Sequence, residues 1–148
     1  MAACAHQRRL VLAPGAVCAV SFSADIAAFA QKAGTSLDET VRAVTIELFT
    51  GIITSTPVDT GRARGNWQTT TETPASGELD RTGSMESLAE VASSSGGAGS
   101  ITYLTNNLPY IIPLEEGHSD QAAPGAMVRG NFERVTSIVE NAARRNRV

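Results

Sequence analysis

The chain turns a corner at residues 56–67, Thr56-Pro57-Val58-Asp59-Thr60-Gly61-Arg62-Ala63-Arg64-Gly65-Asn66-Trp67. A helical pattern precedes this stretch, and a pattern rich in strands and loops follows it. Pro57 ends the helix, because its ring has no N–H to donate and disfavours helical geometry at the residue before it. Asp-Thr-Gly is typical of a tight turn in which Gly61 takes a positive φ. Trp67, the only tryptophan, opens the next segment, and we expect it to be buried against the helix.

Two helical patterns precede the corner. The first starts at Ser23, a possible helix cap, and has apolar residues at positions 26, 29, 30 and 33 on one face. The second starts with a capping box at residues 36–39 and runs to about Ser55. Its apolar residues, at positions 37, 41, 44, 48 and 52, form a stripe wide enough to pack on a sheet. Gly34 interrupts the pattern, so the two helices either join or meet at a kink.

Short strands and further helices are predicted beyond the corner. Residues 67–71 are rich in β formers, and residues 100–105 alternate in the manner of a strand. Residues 84–92 have helical spacing between the two strands, and a final helix is predicted at residues 126–143. These elements predict an α+β fold. In this fold a small, mainly antiparallel sheet packs against the long N-terminal helix and the C-terminal helix.

Two motifs resemble the signature of small neck or tail-completion proteins of long-tailed bacteriophages. The first is the segment Pro57–Trp67 within the corner. The second is Asn106-Asn107-Leu108-Pro109-Tyr110 followed by Leu114-Glu115-Glu116-Gly117, at the separation usual in that family. The order of elements is also similar, over roughly residues 22–143. There are two departures. The family often has an aromatic residue where Glu116 stands, and its entry to the last helix is more regular than residues 121–127 here.

The resemblance implies a structural protein of the virion, with no enzymatic activity and no cofactor. In that role, six copies of the chain would close into a ring that completes the tail or neck at the head–tail junction. The neighbours of the ring would be neck or connector proteins and tail-tube proteins. DNA would pass through its lumen without sequence-specific binding, and no membrane would be involved. The protein would reside in the virion, and in the host cytoplasm during assembly.

Five side chains in the two motifs are candidates for contacts between subunits or with a partner: Arg62, Arg64, Glu115, Glu116 and His118. The arginines of the corner and the glutamates of the second motif carry opposite charges. They could pair across a repeating contact and set its register. We therefore expect that replacing both arginines with glutamate weakens ring closure and leaves the monomer folded. Taken without the resemblance, a corner with one buried Trp needs no function other than folding.

The loop at residues 115–120, Glu115-Glu116-Gly117-His118-Ser119-Asp120, suggests an alternative function as a small metal-binding or hydrolytic module. Carboxylates and an imidazole are competent metal ligands. However, neighbouring side chains of one short loop rarely converge on one ion without a ligand from another element. His118-Ser119-Asp120 is also no catalytic triad, because a triad brings together groups from separate elements. We therefore favour a solvated turn in which Glu115 makes either a contact between subunits or a cap contact, and expect no metal site and no catalytic residue.

The chain has 148 residues, 42% of them hydrophobic, which is the size and composition of one globular domain. A net charge of −3 gives no case for affinity to nucleic acid or membranes. The cysteines, Cys4 and Cys18, do not have zinc-site spacing, and we expect a fold that needs no disulfide and suits a reducing cytosol. Residues 1–20 imitate a signal peptide, but Pro14-Gly15 shortens the apolar run. We expect them to be a poorly ordered extension, or sequence upstream of the domain start. Residues 21–148 would then form one neck or tail-completion domain that folds without them.

Overall fold

The computed structural model describes the backbone of residues 16–147 and the side chains of residues 22–147. Its elements in chain order are α1 (Ala16–Ser55), α2 (Arg62–Gly65), β1 (Gln68–Thr71), α3 (Met85–Ser94), β2 (Thr102–Thr105), α4 (Ile111–Glu115), α5 (Val128–Glu133) and α6 (Val135–Arg145). The predicted α+β class is confirmed, because a long N-terminal helix is followed by a small antiparallel sheet and by C-terminal helices.

α1 begins at Ala16, earlier than the predicted start at Ser23, and is helical through Gly34, so the two predicted helices join. The prediction of a poorly ordered extension at residues 1–20 therefore lies outside the described residues, except for residues 16–20, which are helical. The chain divides into two units between Gly34 and Thr35, inside the predicted domain of residues 21–148.

In the first unit, the described side chains belong to α1. Ile26 and Phe29 lie on the predicted apolar face, and both are exposed, as is Phe22 one turn earlier. Their spacing of four and three residues gives this segment an amphipathic pattern, so the face is available for contact with another surface.

In the second unit, the apolar stripe of α1 is buried near the corner. The core consists of Leu48, Ile52, Ile53, Trp67, Val91 and Ile138. These residues come from α1, from the start of the first strand, from α3 and from α6, so the helices and the sheet share one core. Leu104 of β2 packs against it. Leu37, at the other end of the predicted stripe, is exposed.

Trp67 joins the sheet to the end of α1. Its side chain is 6% exposed, which confirms the predicted burial. The indole Nε1–H donates to Thr56 Oγ1 at 2.8 Å, and the Thr56 hydroxyl donates in turn to the Ile52 carbonyl at 2.8 Å. A buried indole needs such an acceptor, because an unpaired buried N–H is costly. The large apolar ring therefore fills the core while its one polar group remains paired.

The two strands pair antiparallel, with Gln68 opposite Thr105 and Thr71 opposite Thr102. An ion pair closes the outer edge of β1. Arg81 Nη1 lies 2.5 Å from Glu90 Oε1. Glu90 Oε2 accepts from the Thr69 N–H at 3.3 Å, and Arg81 donates to the Trp67 carbonyl at 3.1 Å. The pair thus satisfies two of the backbone groups to which a third strand would bond.

Two elements differ from the prediction. The final helix is divided into α5 and α6, because Arg134, between them, has φ −88 and ψ −6 and its N–H bonds to the Asn131 carbonyl. This tight turn resets the hydrogen-bond pattern, and α6 starts anew with the Arg134 carbonyl accepting from Ile138. The second difference is α2, a single helical turn inside the corner that the sequence pattern did not predict.

We expect Thr56→Val to lower the free energy of unfolding by about 1–3 kcal/mol, because it leaves the buried indole N–H without an acceptor. Thr54→Val is the matched control, since Thr54 is exposed and its hydroxyl bonds only to carbonyls of its own helix. It should change stability by less than about 0.5 kcal/mol. Trp67→Ala should cost about 3–5 kcal/mol. Urea unfolding measures all three, and equal effects of the two threonine variants would contradict this account.

The ion pair at the sheet edge predicts a pH dependence of stability. Burial of the Glu90 carboxyl raises its pKa, but bonds from Arg81 and the Thr69 N–H and the charge of Arg81 outweigh burial, so the pKa lies below the ordinary 4.5. A group whose pKa is lower in the folded than in the unfolded state stabilises the fold at pH values above its unfolded-state pKa. That stability is lost as the pH falls through the folded-state pKa.

Between about pH 6 and pH 3, the free energy of unfolding of Glu90→Gln should therefore fall less than that of the unsubstituted protein. It should also be about 2 kcal/mol less stable at neutral pH, because Arg81 loses a charged partner. Glu140→Gln, which removes an exposed pair with Arg144, is the control. If Glu90→Gln and Glu140→Gln have the same pH profile, the edge pair does not stabilise the sheet.

Candidate functional site

Arg64 ties the corner to the end of α1. Its Nη2 donates to the Thr54 carbonyl at 2.8 Å and to the Thr56 carbonyl at 2.6 Å, and its Nε donates to the Thr56 carbonyl at 3.1 Å. The last carbonyls of a helix have no partner within the helix and carry a partial negative charge. A guanidinium at this position satisfies them and balances that charge, so Arg64 has a structural role within the chain.

Two glycines let a later loop pack directly on the corner. Gly61 has a φ of +82°, as predicted, and its carbonyl accepts from both Gly65 and Gly83. A Cβ added at Gly65 would lie 2.7 Å from the Arg81 carbonyl. The corner therefore lies against the 81–83 loop. Larger side chains at Gly61 and Gly65 would prevent this close approach.

The second motif contacts the first. Asn106 Nδ2 donates to the Ala63 carbonyl at 2.8 Å, across 43 residues of sequence. Asn107 Nδ2 donates to the Gly77 carbonyl at 3.0 Å, which ties the same turn to the loop after β1. On the other side, the Gln121 Oε1 accepts from the Val58 N–H at 3.0 Å. The two motifs that are separate in sequence thus form one continuous surface.

A cleft of about 430 Å³ lies between the two motifs, and we call it the corner cleft. Its lining residues are Pro57, Asp59, Thr60, Gly61, Arg62, Ala63, Tyr110, Leu114, His118, Ser119, Asp120 and Gln121. Acidic and basic groups both face it, so it suits a partner surface of mixed polarity more than a single small anion or cation.

A second, more apolar cleft of about 500 Å³ lies beside α4, and we call it the apolar cleft. Its lining residues are Trp67, Ile111, Ile112, Glu115, Glu116, Met127, Val128, Arg129 and Phe132. Ile112 is 67% exposed and Phe132 is 55% exposed. Because Tyr110 and Leu114 line the corner cleft while Ile111 and Ile112 line this one, the short helix α4 lies between the two.

Glu115 closes the N-terminus of α5. Its carboxylate accepts from the N–H groups of Met127 at 3.2 Å, Val128 at 3.1 Å and Arg129 at 3.0 Å. The first N–H groups of a helix have no partner within the helix, and a carboxylate is favoured there by charge. The cap contact that was one of the two predictions for Glu115 is therefore present, whereas the predicted contact between subunits has no test in a single chain.

The other three candidates lie on the surface of the two clefts. Arg62 lines the corner cleft and forms an exposed pair with Glu78 at 3.0 Å. His118 lines the same cleft, and its Nδ1 lies 3.0 Å from the Pro113 carbonyl. A carbonyl can only accept, so Nδ1 carries the hydrogen and Nε2 is the second ring nitrogen available to a partner. Glu116 is exposed and lines the apolar cleft.

The geometry does not favour the metal or hydrolytic alternative for the 115–120 loop. Within the described residues, no group of three or more His, Cys, Asp or Glu side chains is placed to hold a metal ion. Glu115 is bonded to the α5 N-terminus and Glu116 faces the apolar cleft, whereas His118 and Asp120 line the corner cleft. The loop therefore distributes its polar groups over separate surfaces.

Sequence reasoning missed the groups that hold the surface together. Arg81 bonds to Trp67 across 14 residues of sequence, Glu90 to Thr69 across 21 and Gln121 to Val58 across 63. Asn106 was identified only as part of the second motif, and its long-range bond to the corner has no local signal. Contacts of this kind depend on tertiary structure and leave no periodicity in the sequence.

Comparison of the chain with protein-family models, curated proteins and solved structures gave no match. Among the described helices, none combines the length and the apolar character that crossing a bilayer requires.

We expect Glu115→Gln to lower the free energy of unfolding by about 1–2 kcal/mol, because it removes the charge that closes the α5 N-terminus. Glu116→Gln is the matched control, since the neighbouring carboxylate is exposed, and it should change stability by less than about 0.5 kcal/mol. Chemical denaturation of both variants measures the difference. Equal stability of the two would show that the carboxylate of Glu115 does not support the helix.

Proposed function

We propose that this chain is a structural subunit of the head–tail junction of a long-tailed bacteriophage. Copies of the chain close into a ring, of six copies, that completes the neck or tail and joins it to the DNA-filled head. The ring contacts neck or connector proteins on one face and tail-tube proteins on the other. DNA passes through the lumen without being read, and the chain has no turnover of its own.

The observation that carries this proposal is the contact between the two motifs. The resemblance to neck and tail-completion proteins rests on the corner and on the second motif, which are separated in sequence. Asn106 bonds to Ala63 at 2.8 Å, and both motifs line the corner cleft. Motifs that contact each other in space and form one exposed surface are consistent with a shared role in assembly.

The chain also offers the two different surfaces that a ring requires. A closed ring repeats a contact between two unlike patches, one from each neighbour. The corner cleft is polar and carries Arg62, whereas the apolar cleft carries Glu116 beside exposed Ile112 and Phe132. A contact between the corner of one copy and the apolar cleft of the next would bury the exposed apolar side chains. It would also bring opposite charges together.

Arg62 is the charged residue of the corner that remains suitable for such a contact. Its pair with Glu78 is exposed on both sides, and exposed pairs contribute little to stability. The expectation that both arginines can be reversed without unfolding the monomer requires a correction. Arg64→Glu would place a carboxylate against the carbonyls of Thr54 and Thr56, so a variant that includes it should lose fold stability.

The test therefore reverses Arg62 alone. Arg62→Glu should leave the monomer folded and reduce the ring fraction by at least about tenfold, because a charge-paired contact becomes repulsive. Arg144→Glu is the matched control, since it also removes an exposed pair with a glutamate but lies in α6, away from both clefts. Native mass spectrometry measures the copy number, and circular dichroism checks the fold.

Charge exchange sharpens the test. If Arg62 of one copy faces Glu116 of the next, the combination of Arg62→Glu with Glu116→Arg should restore rings that either single variant loses. If Arg62→Glu and Arg144→Glu form rings to the same extent, Arg62 is not part of the contact between copies. A protein that remains monomeric at every concentration, and within isolated necks, would contradict the ring itself.

A further inference from the structure

The backbone hydrogen bonds of the two strands fix which groups of β2 point away from β1. The Glu72 N–H donates to the Ile101 carbonyl at 3.0 Å, in the same register as the strand pairs. Hydrogen-bonded and non-hydrogen-bonded pairs alternate along an antiparallel ladder. Tyr103 and Thr105 are therefore bonded to β1. The N–H and C=O groups of Thr102 and Leu104 point to the other side of β2.

The two edges of this sheet differ in the hydrogen bonding of their outward backbone groups. The outer edge of β1 is closed, because Glu90 accepts from the Thr69 N–H and Arg81 donates to the Trp67 carbonyl. The sheet has two strands, so β2 has no neighbour on its other side within the described residues. Nor does any described group bond to the outward backbone groups of Thr102 and Leu104. Unpaired edge groups of this kind are a template for an added strand.

We propose that an extended strand of a different protein adds to the open edge of β2 in the assembled particle. The strand would accept from the N–H groups of Thr102 and Leu104 and donate to their carbonyls, which is the pattern of strand addition to a sheet edge. Ile101, beside this edge, is 61% exposed. An apolar side chain of the incoming strand next to Ile101 would bury it, so the partner segment carries β-branched or aromatic residues on that side.

The symmetry of the assembly decides between a foreign strand and a second copy, and this step rests on the proposed ring. A head-to-tail ring joins two unlike surfaces. Among the described strands, the β2 edge could join a second copy only through the same edge, since the edge of β1 is closed by Arg81 and Glu90. Such a pairing is two-fold and ends at a dimer. The open edge therefore remains free in a ring of copies, and a strand of a neighbouring protein can occupy it.

Amide hydrogen exchange on the unsubstituted protein tests whether the edge is open. In the purified protein, the Thr102 and Leu104 amides should exchange at least about tenfold faster than those of Tyr103 and Thr105, which are bonded to β1. In complete particles that contain the chain, the Thr102 and Leu104 amides should slow by at least about tenfold. Slow exchange of these two amides in the dilute purified protein would show a covered edge and overturn the proposal. Fast exchange in the complete particle would overturn it as well.

A proline at the edge tests the role of the added strand. Thr102→Pro removes the outward N–H at the first residue of β2, where proline is compatible with an edge strand, and leaves the bonds to β1 intact. Thr102→Val keeps the N–H and removes the hydroxyl that accepts from Gly96, so it is the matched control. Thr102→Pro should reduce the yield of joined particles at least about tenfold while Thr102→Val does not. Equal yields would contradict the proposal.

The remaining outcomes separate this proposal from the ring. Rings of normal copy number, with an edge that stays fast-exchanging in the particle, would refute the strand addition alone. Absence of rings in native mass spectrometry would refute the proposed function, whatever the exchange rates. Protection of Thr102 and Leu104 that rises with the concentration of the purified protein, together with dimers, would identify a second copy as the occupant and overturn the choice of a foreign strand.

Discussion

The closure of the C-terminal end of α1 is the constraint on which the second unit depends. Thr56 is fully buried, and three groups converge on it. Its hydroxyl accepts from the Trp67 indole and donates to Ile52, while its carbonyl accepts from Arg64. Pro57 stops the helix at this point, and these bonds fix the direction in which the chain leaves it. The first strand therefore starts beside the helix that supplies half of the core cluster.

The small sheet is stable because the rest of the unit completes it. An isolated pair of short strands is marginal in water. Here one face packs on the core through Leu104, and the edge of β1 is closed by the Arg81–Glu90 pair. These supports are asymmetric, since the edge of β2 has no equivalent closure in the described part of the chain. The sheet is therefore supported on one face and at one edge, and its other edge has unpaired backbone groups.

Local chemistry made the elements predictable. Pro57 and Gly61 predict the corner, and the 3.6-residue spacing of the apolar residues predicts the second part of α1. Each of these signals comes from residues that are close together in sequence. The alternation at residues 100–105 similarly predicts β2, and burial of Trp67 follows from its position after the glycine corner. These predictions depend on backbone geometry and on local burial.

Long-range bonds made the rest unpredictable. Arg64 was predicted to act between subunits and Glu115 either between subunits or as a cap, and each satisfies the free end of a helix in its own chain, at distances of 2.6–3.2 Å. A charged side chain next to a turn gives the same sequence signal in both roles. The division of the last helix at Arg134 was also missed, because α5 and α6 continue the same apolar periodicity. Only the tertiary structure distinguishes these possibilities.

The proposed role in assembly rests on a polar corner and an apolar cleft, separated by the short helix α4. In the proposed assembly, unlike surfaces of neighbouring copies meet in a closed ring at a head–tail junction. Cryo-electron microscopy of the purified chain and of the particle that contains it tests this most directly. We predict a closed six-fold ring in which the corner of each copy, with Arg62, contacts the next copy. A particle whose head–tail junction lacks this chain, or a ring in which every corner cleft faces solvent, would contradict the account.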